Sequence, residues 1–480
     1  MKLKKIIKGI EIKQLKNFKD YNIQGVTHVC SDVVQGGMFI AIRGNNFDGN
    51  DYVDEAIRLG AKCVVTEDES LQCNVAVVVV DNVRVAMSLI AKNYYNSCVD
   101  KMKIVGIVGT SGKTTTTMFI AQILQNCGMK VGVIGTNGIY IDNIRQESRF
   151  TTPDPIDLHY IFYQMKMLGV EYVVMEISAQ AIYYHKVYGI QFDMCVFTNI
   201  SREHLDFFGS MEKYARVKMD FFNNCNMREC VVNIDDFYGR ELAYKVNMPC
   251  ISYGVSSPCN SFAVNCEYSL TRTKFVANIN DEIIDVDIPF VGEYNVYNML
   301  AALTVVRMLG FAMKSIEKAC RCLKQIDGRY NVYYKGKSEI IIDFAHTPES
   351  IELLLRHIST YSDKRIISVF GCVGYSDDDK RKEIGAIVAK YSKFSIVTTD
   401  NRGTVKFDDI CKGIKAGIGD AECVCIEDRF EAIKYGYNLL TDDDILVVIG
   451  KGAEDFQTIE DQRVPYSDRE SVMKLLNTGV

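Results

Sequence analysis

The sequence predicts an α/β protein of three domains, and three observations carry that expectation. Its 480 residues exceed what one hydrophobic core usually holds, so two to four domains are expected. Apolar β-branched runs alternate with helical stretches through residues 101–250 and again from about residue 328, the pattern of parallel sheets with helices on both faces. A glycine-rich turn over residues 106–115 joins one such run to a helix. The expected order is a small N-terminal α/β domain (1–100), a central domain (101–329) combining a P-loop-type parallel sheet with an antiparallel β-rich portion, and a C-terminal Rossmann-like α/β domain (330–480).

In the first domain, residues 38–42, 63–66 and 75–80 are short apolar runs suited to buried strands, with helices expected over 52–59 and 83–96. The central strands are expected at 104–108, 131–134, 172–177, 194–198 and 230–233. Residues 251–288 alternate polar and apolar side chains, which predicts antiparallel strands. The last domain has strand candidates at 339–343, 366–370, 394–398 and 445–449. Each ends in a polar or glycine-containing cluster, where open α/β sheets place their ligands.

Composition excludes several classes. The net charge of −6 argues against general nucleic-acid binding. No apolar run approaches the roughly 18 residues of a membrane span, so no membrane insertion is expected. Residues 1–17 are lysine-rich without the apolar core of a signal peptide, which predicts a cytoplasmic, monomeric protein. The 17 cysteines are scattered and contain no Cys-x-x-Cys, so reduced and mostly buried thiols are expected.

The turn reads Gly106-Ile107-Val108-Gly109-Thr110-Ser111-Gly112-Lys113-Thr114-Thr115. Phe119, Ile120, Ile123 and Leu124 follow at helical spacing, and Gly128 suits the helix end. Backbone N–H groups of Gly109 to Thr115 at a helix N-terminus can cradle phosphates, with Lys113 neutralising the outer ones and Thr114 offering a hydroxyl to magnesium. The spacing departs from the standard P-loop, because the upstream glycine comes one residue early and Ile107 holds its usual place. Glu176, at the end of the next strand, is placed either to hold magnesium or to cap a helix. By spacing alone His204 is either a second ligand or an ordinary core or surface histidine.

Taken in order, these stretches resemble the Mur ligase family. The likeness continues through residues 197–206, 292–298 (Gly-Glu-Tyr-Asn-Val-Tyr-Asn), 327–329 (Asp-Gly-Arg), 343–348 (Asp-Phe-Ala-His-Thr-Pro), 450–454 (Gly-Lys-Gly-Ala-Glu) and 466–469 (Tyr-Ser-Asp-Arg). It implies ATP-dependent amide synthesis with magnesium, through an acyl phosphate on a UDP-N-acetylmuramoyl-L-alanyl-D-glutamate substrate that then receives diaminopimelate or lysine. On that likeness Thr114, Glu176 and His204 organise magnesium, and Lys218 matches a lysine that becomes carbamylated and joins them. Asn295 meets adenine, and Arg329 and Asp343 complete the nucleotide site. Thr151, Thr152, Ser178 and Lys186 bind the UDP-sugar peptide. Asp400, Asn401, Arg402, Gly450 and Glu454 meet the incoming amino acid.

The chain also departs from the family pattern. Val29-Cys30-Ser31 replaces a uridine-site Asp-Ser-Arg, Ser178-Ala179-Gln180 replaces Ser-Ser-His, Ser376 stands at an arginine position, and Ala453 replaces a histidine. Asp400-Asn401-Arg402-Gly403 replaces Asp-Asn-Pro-Arg; read without gaps, Gly403 takes the arginine position, and a one-residue slip restores Arg402 there. Two alternatives stay open at this level: a divergent ligase acting on another carboxylate, and a non-catalytic nucleotide-binding relative.

Overall fold

The computed structural model describes residues 1–44, 47–142, 144–460 and 462–478. Its N-terminal sheet has five strands in the order Ile12–Lys16, Ala76–Val80, Cys63–Thr66, Met38–Ile40, Val26–Thr27, all parallel except the first. Ala76–Val80 is buried at every residue, as its unbroken apolar run requires. The Asn82 side chain accepts the N–H groups of Arg84 and Val85 and so starts the helix Val83–Tyr94, which packs on this sheet.

The central sheet has eleven strands, and Lys103–Val108 lies in its interior between Tyr172–Ile177 and Phe192–Phe197. The parallel registers set Val108 beside both Ile177 and Phe197. Three chain segments distant in sequence, those after Val108, Ile177 and Phe197, therefore emerge side by side at one sheet edge. The predicted antiparallel portion needs correction. Cys250–Gly254 continues the parallel sheet from Met227–Asn233, and Ser261–Tyr268 joins it in parallel before the antiparallel strands Thr273–Ile279 and Glu282–Ile288 begin. The helix Phe237–Lys245 before Cys250 explains this, because a strand–helix–strand crossover returns the chain in the same direction.

Helix Glu293–Met308 is buried along most of its length between the helix Lys113–Asn126 and the β-rich half of the sheet. The C-terminal sheet runs Asn331–Lys335, Ser338–Asp343, Asp444–Ile449, Arg365–Phe370, Phe394–Val397, Cys423–Cys425, with only the first strand antiparallel. Beneath its strand ends, the fully buried Arg429 makes a two-pronged ion pair with Asp468 and donates to the carbonyls of Ile449 and Thr399. Among the described residues no helix is long and apolar enough to cross a membrane.

Candidate active site

The glycine turn is built against the neighbouring strand end. A Cβ at Gly109 would strike the Thr198 hydroxyl, and one at Gly112, where φ is +83°, would strike the Asn298 side-chain oxygen. Thr110 N–H donates to Asn199 O (2.8 Å), Ser111 N–H donates to Asn199 Oδ1 (2.9 Å), and the Thr198 hydroxyl donates to Ser111 O (2.7 Å). The helix Lys113–Asn126 begins at this mouth, so its free N–H groups and positive dipole end face the cleft. Lys113 Nζ bridges the turn, donating to Gly109 O (3.0 Å) and Thr110 O (2.6 Å). Thr115 is buried behind it.

Asn295 is linked to the first turn of the helix Lys113–Asn126 through Asn298. Its amide donates to Val291 O (2.8 Å) and accepts from Asn298 (3.1 Å), which in turn accepts from Thr116 (3.2 Å). Burial leaves these partners to satisfy its polar atoms.

On one side of the mouth stands Glu176, 1% exposed, whose carboxylate accepts the Thr136 N–H (2.9 Å) and hydroxyl (3.2 Å). Gly135 makes room for it, since a Cβ there would meet the carboxylate. Thr151 reaches the Thr136 hydroxyl at 3.1 Å, and Thr152 donates to Glu176 O (2.8 Å) while accepting Ser178 N–H (3.1 Å). Ser178 also caps the helix Ala179–Tyr183. Lys186 pairs with Asp154 at 2.9 Å and lies over the Phe150 ring. Thr151, Thr152, Ser178 and Glu176 are thus one hydrogen-bonded group with Lys186 beside it.

On the other side, His204 opens the helix Leu205–Phe208 with φ +54°, and Glu203 precedes it. Burial opposes ionisation of Glu203, but the hydrogen bond from His346 and the charges of Lys113, His204 and His346 outweigh it and hold its carboxyl well below the usual range. Burial pushes the His204 imidazole below its ordinary value against the pull of Glu203, and Lys113 and Lys218 push the same way. Lys218 is 1% exposed and donates to Thr110 Oγ1 (3.2 Å) and to the Tyr214 hydroxyl. Burial, then the Lys113 charge, push its amine well below the lysine range, against Glu203 and Asp236.

The far wall comes from beyond residue 327. Arg329 Nη2 donates to Thr114 Oγ1 (3.0 Å) and its guanidinium lies 4.4 Å over the Phe344 ring. Asp343 accepts the N–H groups of Tyr330 (2.8 Å) and Ala345 (2.7 Å), forming the turn that presents His346. Next to this strand end, Lys451, fully buried, donates to Glu454 (2.8 Å) and Asn401 (3.2 Å) and lies 3.6 Å from Asp400. Asn401 also donates to Glu454 (3.0 Å). Gly450 has φ +118°, and a Cβ there would lie 2.9 Å from Asp400 Oδ2. Arg402 is not brought to this cluster: it donates to Val405 O (3.2 Å) and lies within 4 Å of Glu427 and Glu460.

Among the described residues no three His, Cys, Asp or Glu side chains gather into a preformed metal centre. Glu176 stands near the end of the strand Tyr172–Ile177 and His204 at the start of the helix Leu205–Phe208, while Thr114 lies in the first turn of the helix Lys113–Asn126. The Thr114 hydroxyl and Glu176 carboxylate are oxygen donors that fit magnesium, which keeps waters and takes its remaining ligands from substrate phosphates; His204 would add a ring nitrogen. Three participants escaped the sequence reading: Glu203, His346 and Lys451. The first sits beside His204, and the other two lie inside the quoted stretches 343–348 and 450–454, so their positions were visible but their partners were not.

Comparison with known proteins identifies the family. Residues 22–95 match the model of the Mur ligase family, catalytic domain; 107–306 match the Mur ligase middle domain; and 328–452 match the Mur ligase, glutamate ligase domain. The chain is 36% identical to a UDP-N-acetylmuramoyl-L-alanyl-D-glutamate–2,6-diaminopimelate ligase of Caldanaerobacter subterraneus subsp. tengcongensis, with 99% of each chain covered. It is 33% identical to the ligase of the same name from Clostridium tetani, again over 99% of each. A solved structure of a ligase of that name superposes with a TM-score of 0.71 at 24% identity over 100% of this chain and 99% of the other. The MurF ligase of Thermotoga maritima, solved with ADP, gives 0.64 at 21% identity over 90% and 95%. The chain belongs to the Mur ligase family, and it is an ATP-dependent ligase that forms amide bonds.

Proposed function

We propose that this ligase adds diaminopimelate to UDP-N-acetylmuramoyl-L-alanyl-D-glutamate in peptidoglycan synthesis, as a cytoplasmic monomer. The observation that carries the proposal is Arg329, which bonds Thr114 beside the glycine cradle and feels the charges of Glu176 and of Glu454 in the Lys451–Glu454–Asp400 cluster, tying the three groups together. Full-length similarity to ligases named for that reaction supports it. ATP would supply the phosphoryl group that activates the peptide's carboxylate as an acyl phosphate, which the amine displaces.

Each residue has a proposed part. Gly109 to Thr115 hold the phosphates by backbone N–H groups, and Lys113 screens the outer charges so that a carboxylate can approach. Thr114, Glu176 and His204 would hold magnesium, joined by Lys218 once carbamylated; the metal would neutralise phosphate charge. A buried amine kept from protonation, as in Lys218, is the form able to take up carbon dioxide. Arg329 and Asp343 close the nucleotide site. Thr151, Thr152, Ser178 and Lys186 orient the UDP-sugar peptide. Asp400 and Glu454 draw the amino acid's ammonium, with Asn401 and Gly450 shaping the subsite and the two domains together excluding water.

The test is phosphate release with ATP, magnesium and the UDP-muramoyl dipeptide, with diaminopimelate, lysine or no amine supplied in turn. Release that requires the dipeptide and is fastest with diaminopimelate is expected. No release with any amine, despite ATP binding, overturns the proposal.

A further inference from the structure

Glu203 and His346 are 143 residues apart in sequence, yet Glu203 Oε1 lies 3.3 Å from His346 Nε2. Each is rigidly mounted. The Glu203 loop is fastened to the glycine turn, through Asn199 to Ser111 and through Ser201 N–H to Thr110 Oγ1 (3.1 Å). Tyr214, which touches Thr110 at 3.0 Å, also reaches Glu203. His346 Nδ1 is bonded to Phe344 O (3.0 Å), its ring packs on Phe344, and the next residue, Thr347, starts the helix Pro348–Tyr361 with a capping box.

The His346 turn and the Lys451–Glu454–Asp400 cluster are joined by direct contacts. Asp343 is in register with Ile449, Gly450 N–H donates to Asp343 O (3.1 Å), and a Cβ at Gly452 would meet Phe344. Other ion pairs bridging the central and C-terminal domains are open to water: Arg145–Asp455 is 45% exposed on both sides, and Arg202–Asp377 is 55% and 57% exposed. Exposed pairs of that kind contribute little. In the Glu203–His346 contact Glu203 is 12% exposed and His346 35%, less open than either of those pairs.

We infer that the Glu203–His346 contact is a clasp fixing the amino-acid subsite over the nucleotide site, with His346 a positioning residue for the amine step; this rests on the function proposed above. Together with Arg329, which touches Thr114 and Phe344, the clasp closes a belt around the phosphate mouth. Breaking it on the His346 side leaves the cradle intact and frees the amino-acid subsite to drift. Binding of the amine therefore suffers before binding of ATP does.

His346→Ala is expected to raise the KM for the amino acid about tenfold, the scale of one hydrogen bond to a charged group partly open to water. The ATP dissociation constant, measured by calorimetry, is expected to stay within about twofold. His346→Gln, which keeps a donor, is expected to recover most of the loss. A KM unchanged in His346→Ala, an ATP affinity that falls in parallel, or a glutamine no better than alanine overturns the clasp. Small-angle scattering needs no turnover, and His346→Ala is expected to show a larger radius of gyration than the unmodified enzyme; no increase also overturns it. Absence of turnover in the unmodified enzyme bears on the proposed reaction alone.

Discussion

Arg329 donates from Nη2 to the Thr114 hydroxyl at 3.0 Å, joining the stretch that leads into the C-terminal sheet to the first turn of the helix Lys113–Asn126. Burial lowers the guanidinium below its ordinary value, against the opposing pull of Asp343, Glu176, Glu454 and Tyr294. A planar fork between these groups and a ring face is not reproduced by an ammonium. Arg329→Lys is therefore expected to lower kcat/KM for ATP by about a hundredfold, as loss of one charged donor at a reacting phosphate does. Steady-state phosphate release measures it, and a loss under threefold would contradict the role.

The Lys113 ammonium rests on two carbonyls of its own turn. Lys113→Ala is expected to abolish detectable turnover while shifting the thermal midpoint by no more than about 2–3 °C, since surface-type truncations stay near 0.5 kcal/mol. Retained activity would refute the assignment to the outer phosphates. A collapse of the midpoint would assign the lysine to the fold.

How much of this was legible follows residue by residue. Ala76–Val80 and residues 104–108 announced themselves because a strand covered on both faces must be apolar where it is covered. Ile12–Lys16 did not: it is an edge strand, and Lys13, Gln14 and Lys16 hide its alternation. In the site, Lys113 and Thr114 follow from local spacing, since one turn builds their surroundings. Glu203 and His346 do not, because their meeting depends on where the ends of Phe192–Phe197 and Ser338–Asp343 come to lie. Asn295 lies between these cases: its place in the stretch 292–298 could be read, but its bonds to Val291 and Asn298 could not.

Arg429 and Asp468 form a fully buried pair under the amino-acid subsite. Desolvation acts against the guanidinium, and the Asp468 charge and hydrogen bonds more than offset it, so Arg429 is held charged. Asp468→Asn leaves that charge without its counter-ion and is expected to cost about 3–5 kcal/mol. Thr399 and Ile449, whose carbonyls Arg429 also binds, would loosen with it. Urea unfolding checks the energy, and hydrogen exchange at residues 398–402 and 449–454 checks the location. A loss below about 1 kcal/mol would mean that water reaches the pair.

His159 sits 1% exposed against the Phe162 ring, with Nε2 unpartnered among the described residues. Burial, with a smaller push from Lys92, lowers its imidazole to about 3. The native state therefore keeps the ring neutral where the unfolded chain, titrating near its ordinary value of about 6.5, takes up a proton. Between those values the unfolded state binds more protons, so this group's contribution is intact above about pH 6.5 and is lost as pH falls toward 3, at up to about 1.4 kcal/mol per pH unit. His159→Leu, similar in volume and unable to titrate, is expected to flatten the acid limb by up to one proton. Urea midpoints at pH 7, 6, 5 and 4.5 for both proteins measure the difference. Parallel curves would show that the ring is protonated, or its pocket hydrated, in the native state.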